Sequence, residues 1–234
     1  MGIHRGAADH QVSTQERPPL SVVLWILAAY LLGATPTSYL AGKLGRGIDL
    51  REHGSKNLGA TNVYRILGWK YAIPVALFDI AKGAIPVLLF ARWGGGAEQR
   101  PWLPVVVGVA AVLGHMFSPY VRFRGGKGVA TAAGMFLALA PLALVLAFPV
   151  WALCLWLTGF VSLSSIIAAL SVPAWVWLTA PDSPYVFWAG VALALLIVFA
   201  HRRNIARLVA GTESRFRTRG VAPSERPTVR PSDR

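Results

Sequence analysis

Residues Gly114–Thr131 read G-H-M-F-S-P-Y-V-R-F-R-G-G-K-G-V-A-T, and the core of this stretch, Arg122-Phe-Arg-Gly-Gly-Lys-Gly128, sets three cations and three glycines between two strongly apolar blocks. Apolar blocks on either side of a short basic turn are the pattern of a chain that enters and leaves a bilayer. Glycines let backbone N–H groups turn toward a ligand while Lys and Arg supply positive charge, which together suit a phosphate. The stretch is not a P-loop, because Val121 stands where the first glycine of G-x-x-x-x-G-K-[ST] belongs and Gly128 where Ser or Thr belongs. Taken alone it reads equally well as a basic membrane-flanking turn.

Composition extends the membrane reading to the whole chain. Of 234 residues 55% are hydrophobic and only 14% charged, where a soluble domain carries about a quarter charged. The mean hydropathy is +0.52. The single cysteine, Cys154, excludes an intramolecular disulfide and a cysteine-based metal cluster. A net charge of +13 invites a nucleic-acid reading, but the cations sit at the ends of apolar blocks and in the tail, as topology and anionic headgroups demand.

The pattern predicts an all-α, polytopic membrane protein with about seven spans: Leu20–Gly42, Tyr71–Ala91, Pro101–Tyr120, Val129–Ala140, Leu142–Gly159, Ser162–Ala180 and Pro184–Ala200. Val129–Ala140 is only twelve residues long, either a short buried helix or the start of one kinked at Pro141. Residues 1–19 and 214–234 are polar and rich in Pro, Ser or Arg, and are expected to be disordered tails around a membrane domain spanning 20–213. The first apolar run lacks a short basic leader and a cleavage site, so it reads as a retained helix.

Seven spans put the termini on opposite sides. One side holds 18 Lys and Arg (residues 43–70, 121–128 and 201–234), the other holds 4, and Lys82 lies within a span. By the positive-inside rule the C-terminus is cytoplasmic and the N-terminus external.

Three polar segments then share the cytoplasmic face. In Gly54–Arg65 (G-S-K-N-L-G-A-T-N-V-Y-R), Ser55, Asn57 and Asn62 offer hydrogen bonds, a helix N-terminus can face an anion, and Arg65 suits a bidentate phosphate contact. The bland alternative is a surface helix with Arg65 snorkelling. In His201–Glu213, helical spacing aligns His201, Asn204 and Leu208. Arg202, Arg203 and Arg207 read most simply as a stop-transfer cluster. Asp79 and Lys82, three apart in the second span, read as a structural ion pair near a site wall. His4-Arg-Gly-Ala-Ala-Asp9 matches H-x-x-x-x-D of another acyltransferase class, but it lies in the external tail and reads as chance.

Gly54–Arg65, Gly114–Thr131 and His201–Glu213 resemble, in order, the three cytoplasmic motifs of the bacterial acyl-phosphate:glycerol-3-phosphate acyltransferases, the PlsY family. The resemblance extends to Tyr30–Gly42, Phe78–Gly83 and Ser162–Ala168, covering roughly residues 20–213. Lys56 stands where glycine is usual in the first motif, and Ser118 where proline is common. The resemblance implies acyl transfer from acyl phosphate to the 1-hydroxyl of sn-glycerol 3-phosphate, at the bacterial inner membrane, with the site facing the cytoplasm. It places Ser55, Asn57, Arg65, Gly125, Gly126, Lys127, Gly128 and Ser164 at the substrates or their phosphates, and His201 and Asn204 in catalysis. The base is His201 or the substrate's own phosphate. It implies no cofactor or metal, no nucleic acid, the bilayer as surroundings and the soluble enzyme that makes acyl phosphate as a partner. An activated donor needs no protein nucleophile, and no Ser–His–Asp set is evident. The rival reading is a transporter for a small phosphorylated anion, disfavoured by the lack of an inverted repeat and by cations gathered on one face. A mere lipid-binding anchor leaves the glycine-rich segments unexplained.

The charge asymmetry predicts a labelling pattern. In a Cys154→Ala background, cysteines at Ser13 or Gly95 are expected to react with an impermeant thiol reagent in intact cells. One at Ser224 should react only once the membrane is opened, and labelling there in intact cells would reverse the orientation.

Overall fold

The computed structural model describes residues 20–94 and 100–216. The H-x-x-x-x-D match, residues 1–19 and residues 217–234 lie outside that range. Among the described residues the regular structure is entirely helical. Helices α1 (Leu20–Ala34) and α2 (Thr37–Arg46) share the first apolar block. The block was expected to be one continuous helix over Leu20–Gly42, but Pro36, which lacks an N–H and pushes the residue before it out of the helical region, breaks it. Next come α3 (Ala60–Leu67) and α4 (Trp69–Ile85), the latter prolonged by a wider turn at Pro86–Phe90 and a last turn to Trp93. After them α5 (Leu103–Met116) leads through a tight turn at Pro119–Val121 to α6 (Val129–Leu139). The chain closes with α7 (Pro141–Thr158), α8 (Val161–Thr179), α9 (Pro184–Ala200) and α10 (Arg202–Val209).

Five segments, Leu20–Arg46 (α1 and α2 taken together), Trp69–Trp93, Leu103–Val121, Pro141–Thr158 and Val161–Thr179, are long and apolar enough to cross a bilayer, and a sixth counts if α9 and α10, bent by 57°, form one span. The fourth expected span, Val129–Ala140, is the short, enclosed alternative. Helix α6 has 11 residues and rises roughly 16 Å, about half of a hydrocarbon core, before Ala140 turns extended. Its backbone polar groups are shielded by protein, since Thr131, Ala132, Gly134, Met135 and Phe136 are buried.

The packing is inside-out relative to a soluble bundle. Leu24, Leu27, Leu31, Phe148, Trp156, Trp188 and Leu195 are exposed, while Ala143, Ala147, Ser164 and Ser165 are buried. Large apolar groups gain nothing by leaving lipid, so helices associate through close contact of small residues. Helix α1 meets α5 where a Cβ on Gly33 would collide with the Ala111 carbonyl and one on Gly114 with the Tyr30 carbonyl. Helix α4 meets α6 in the same way, through Gly83 against the Thr131 carbonyl and Gly134 against the Ile80 carbonyl. Helices α5 and α6 also pack directly on each other, with Gly108 against the Met135 side chain, so the turn between them has a fixed frame.

Gly134→Ala tests that crossing. Helix propensity alone favours alanine by about 1 kcal/mol, whereas overpacking costs about 1–3 kcal/mol. A net loss of thermal stability in detergent is therefore expected, and a rise in Tm would mean that the helices do not meet there.

Candidate functional site

The glycine-rich loop folds back onto the end of α5. The Ser118 hydroxyl donates to the Ala34 carbonyl (2.5 Å), and Arg122 (φ 58°) and Phe123 (φ 60°) both adopt the left-handed conformation that reverses the chain. The Gly125 N–H then donates to the Met116 carbonyl and the Gly126 N–H to the His115 carbonyl, each at 3.1 Å. A Cβ on Gly125 would overlap the His115 carbonyl, and one on Gly126 the His115 ring and the Leu58 carbonyl. This corrects the physical reason for two glycines: the Gly125 and Gly126 N–H groups are engaged internally, and the missing Cβ atoms let the loop lie on α5. Gly128 (φ 82°) caps α6, whose first-turn N–H groups are among the backbone donors left at this end.

From this loop Lys127 reaches the Asn204 side chain, its ammonium donating to Oδ1. Asn204 Nδ2 donates to Glu213 Oε1 (2.6 Å), Ser162 Oγ to the same oxygen (2.7 Å) and Arg207 Nε to Oε2 (2.7 Å). The Glu213 side chain is 5% exposed. Burial pushes its carboxyl upward, but the hydrogen bonds from Asn204, Ser162 and Arg207 outweigh it and hold Glu213 below its usual range. Lys127 is brought down to about 8 by burial and by the charges of Arg207 and Arg65, with Glu213 opposing. Burial also lowers Arg65, which keeps its charge. His201 is driven to about 4, by burial first and by Lys127 second. Its Nδ1–H donates to the Ile197 carbonyl at 2.8 Å, so Nε2 carries the free lone pair.

The first polar segment meets the others at two points. Leu58 lies against Gly126, and Arg65 donates to the Ser214 carbonyl at 3.3 Å. Asn62 is a fully buried organiser, accepting from the Ser55 N–H and donating to the Leu50 and His53 carbonyls. The Ser55 side chain is exposed and Asn57 half-buried, both on the loop ahead of α3, with no hydrogen bond to Lys127 or Arg65. Ser164 is buried and donates to the Phe160 carbonyl at 2.9 Å. Residues 214–216 still pack on the helices: the Phe216 N–H donates to the Gly159 carbonyl (2.6 Å), and its ring lies on Tyr64 (5.0 Å).

The family model described as glycerol-3-phosphate acyltransferase matches residues 23–211. The chain belongs to the glycerol-3-phosphate acyltransferase family. A protein of that name from Trichlorobacter lovleyi is 47% identical over 195 residues, 83% of this chain and 97% of that protein. Another from Desulfotalea psychrophila is 45% identical over 191 residues, 82% and 96% of the two chains. The fold is also similar to crystal structures of PlsY, an integral membrane glycerol 3-phosphate acyltransferase. The glycerol 3-phosphate form has a TM-score of 0.78 and the lysophosphatidic acid form 0.75, both at 39% identity, covering 85% of this chain and 96% of that one. Within the family frame, the residue that sequence reasoning left without a role is Glu213. A signal was present: it is the one carboxylate between Asp182 and Glu225, in a segment otherwise cationic. Arg207, read as a topology signal, is its partner.

Glu213→Ala would leave Arg207, Asn204 and Ser162 without their shared acceptor. The loss expected is at least about 1.5–3 kcal/mol, the worth of a hydrogen bond to a charged group, read as a lower Tm in detergent. Glu213→Gln, which keeps one acceptor oxygen, should lose less.

Proposed function

We propose that the protein transfers an acyl group from acyl phosphate to the 1-hydroxyl of sn-glycerol 3-phosphate, giving 1-acyl-sn-glycerol 3-phosphate and inorganic phosphate for phospholipid synthesis. The observation that carries this reading is the junction of all three polar segments around Lys127 in a chain of this family. Arg65 and Lys127 hold phosphate. Ser55, Asn57 and Ser164 line the substrates, with the loop Gly125–Gly128 beneath, and Asn204 orients Lys127. In the reaction the 1-hydroxyl oxygen attacks the acyl carbonyl, the tetrahedral oxyanion is met by cations and N–H donors, and the carbon–oxygen bond to phosphate breaks.

The hydroxyl proton needs an acceptor. His201 at about 4 is a weak base, whereas a phosphate monoester dianion takes up a proton at about 6. The substrate's own phosphate is therefore the stronger base of the two. We assign the proton to it, and to His201 the role of a neutral acceptor that orients the substrate. The domain spans residues 20–213 between two tails and places about seven helices in the bacterial inner membrane, α6 being the short, protein-enclosed one. Its N-terminus is external, and the site faces the cytoplasm, where a soluble enzyme supplies acyl phosphate.

Purified protein is offered glycerol 3-phosphate with acyl phosphate, acyl-CoA or acyl carrier protein in turn. Product from acyl phosphate alone is expected; product from acyl-CoA alone would overturn the donor, and no product the reading. Lys127→Ala should lower kcat/KM about 10–150-fold, equivalent to about 1.5–3 kcal/mol. Because Lys127 titrates at about 8, its charge is present below that pH and lost above it. The KM for glycerol 3-phosphate should therefore rise above about pH 8. Lys127→Arg should flatten that rise, since its guanidinium stays charged.

A further inference from the structure

Beneath the glycine loop lies a second polar cluster. Asp79 and Lys82 on α4 are each 1% exposed and pair at 2.7 Å. Thr37 donates to Asp79 Oδ1 (2.7 Å), and Lys82 donates to the Thr35 carbonyl (2.9 Å) at the break between α1 and α2. The same Asp79 oxygen faces His115 Nδ1 at 3.7 Å, too long for a direct hydrogen bond. The expected ion pair is therefore present, and it has a third member. Among the described residues, none of the three has a hydrogen bond to Lys127, Asn204 or Glu213.

His115 joins this cluster to the loop. Its carbonyl accepts the Gly126 N–H, and a Cβ on Gly126 would land on its Nε2. The cavity bounded by Thr37, Ser38, Lys82, His115, Ser118 and Gly126 is about 10 Å³, room for one water and no substrate. The His115 ring, together with the backbone bonds to the His115 and Met116 carbonyls, thus sets the height of the loop over α5. Lys127 is the residue that follows Gly126, so an error in that height is passed directly to the ammonium. Misplacement of a reacting or binding group by 1 Å can cost about 10²-fold in rate.

We propose that His115, braced by Asp79, is a positioning residue of the acyltransferase: its ring and carbonyl fix Gly126 and through it the place of Lys127. The proposal rests on the acyl-transfer reading and deepens it. The test is kcat and KM for glycerol 3-phosphate, per mole of folded protein, for His115→Ala, His115→Asn, Lys127→Ala and the His115→Ala/Lys127→Ala pair, with Tm alongside. His115→Ala is expected to lower kcat/KM about 10–10²-fold. His115→Asn, which keeps a donor on the Asp79 side, should recover part of that loss and guards against an alanine variant that does not fold. In the Lys127→Ala background the His115 change should add little, because its effect runs through the absent ammonium. A merely structural role predicts a lower Tm with kcat and KM unchanged, and that result, or the same fold loss in both backgrounds, overturns the proposal. An inactive wild type would instead overturn the acyl-transfer reading and take this proposal with it.

Discussion

A buried ammonium must be given acceptors or it loses its proton, and the rest of the site is arranged around how Lys127 meets that demand. Its direct partner is the neutral Asn204 side chain, with the Glu213 charge one hydrogen bond further away. A direct pair with Glu213 would neutralise the lysine and leave little for a ligand to gain. The relay through Asn204 leaves Lys127 only partly compensated, at about 8, and so responsive to any further anion. Glu213 meanwhile cancels Arg207, whose charge would otherwise push Lys127 lower still. The junction is a cationic site tuned by one carboxylate, and the proposed phosphate ligand would supply the missing charge.

Much of this was legible because a bilayer imposes simple rules. Length and hydropathy placed most of the long helices within a few residues, and the three polar segments stood out against apolar surroundings. Deviations came where a single backbone feature overrides hydropathy. Pro36 splits a run that reads as uniform, and Ala140 ends α6 one residue before Pro141 because the residue ahead of a proline avoids the helical region.

The site was legible by residue type and less so by role. Cations and glycines attract notice as phosphate ligands, and sequence spacing cannot show that the Gly125 and Gly126 N–H groups turn inward to α5. Glu213 escaped for the converse reason. An acid among basic residues reads as surface charge until the fold brings Ser162, 51 positions away, to the same oxygen. His115 sits in the G-H at the start of the opening motif, and its meaning depends on Asp79, which arrives from a different helix.

The backbone carries the cost of holding these loops still. Among the described residues three other than glycine, Lys56, Arg122 and Phe123, have positive φ, and all three lie in the two loops that meet at Leu58 and Gly126. A left-handed residue with a Cβ costs roughly 1–2 kcal/mol, so each must be over-determined by its neighbours. The Lys56 N–H is held on the His53 carbonyl (3.0 Å) and the Phe123 N–H on the Ser118 carbonyl (2.8 Å). At position 56, where the resemblance in sequence leads one to expect glycine, this chain accepts the strain and carries a cation. The same bonds that offset the strain remove alternative conformations, so the loops stand in place before any phosphate arrives. A ligand then has no ordering entropy to overcome there, which is the condition under which a few charges suffice to bind and orient a small substrate.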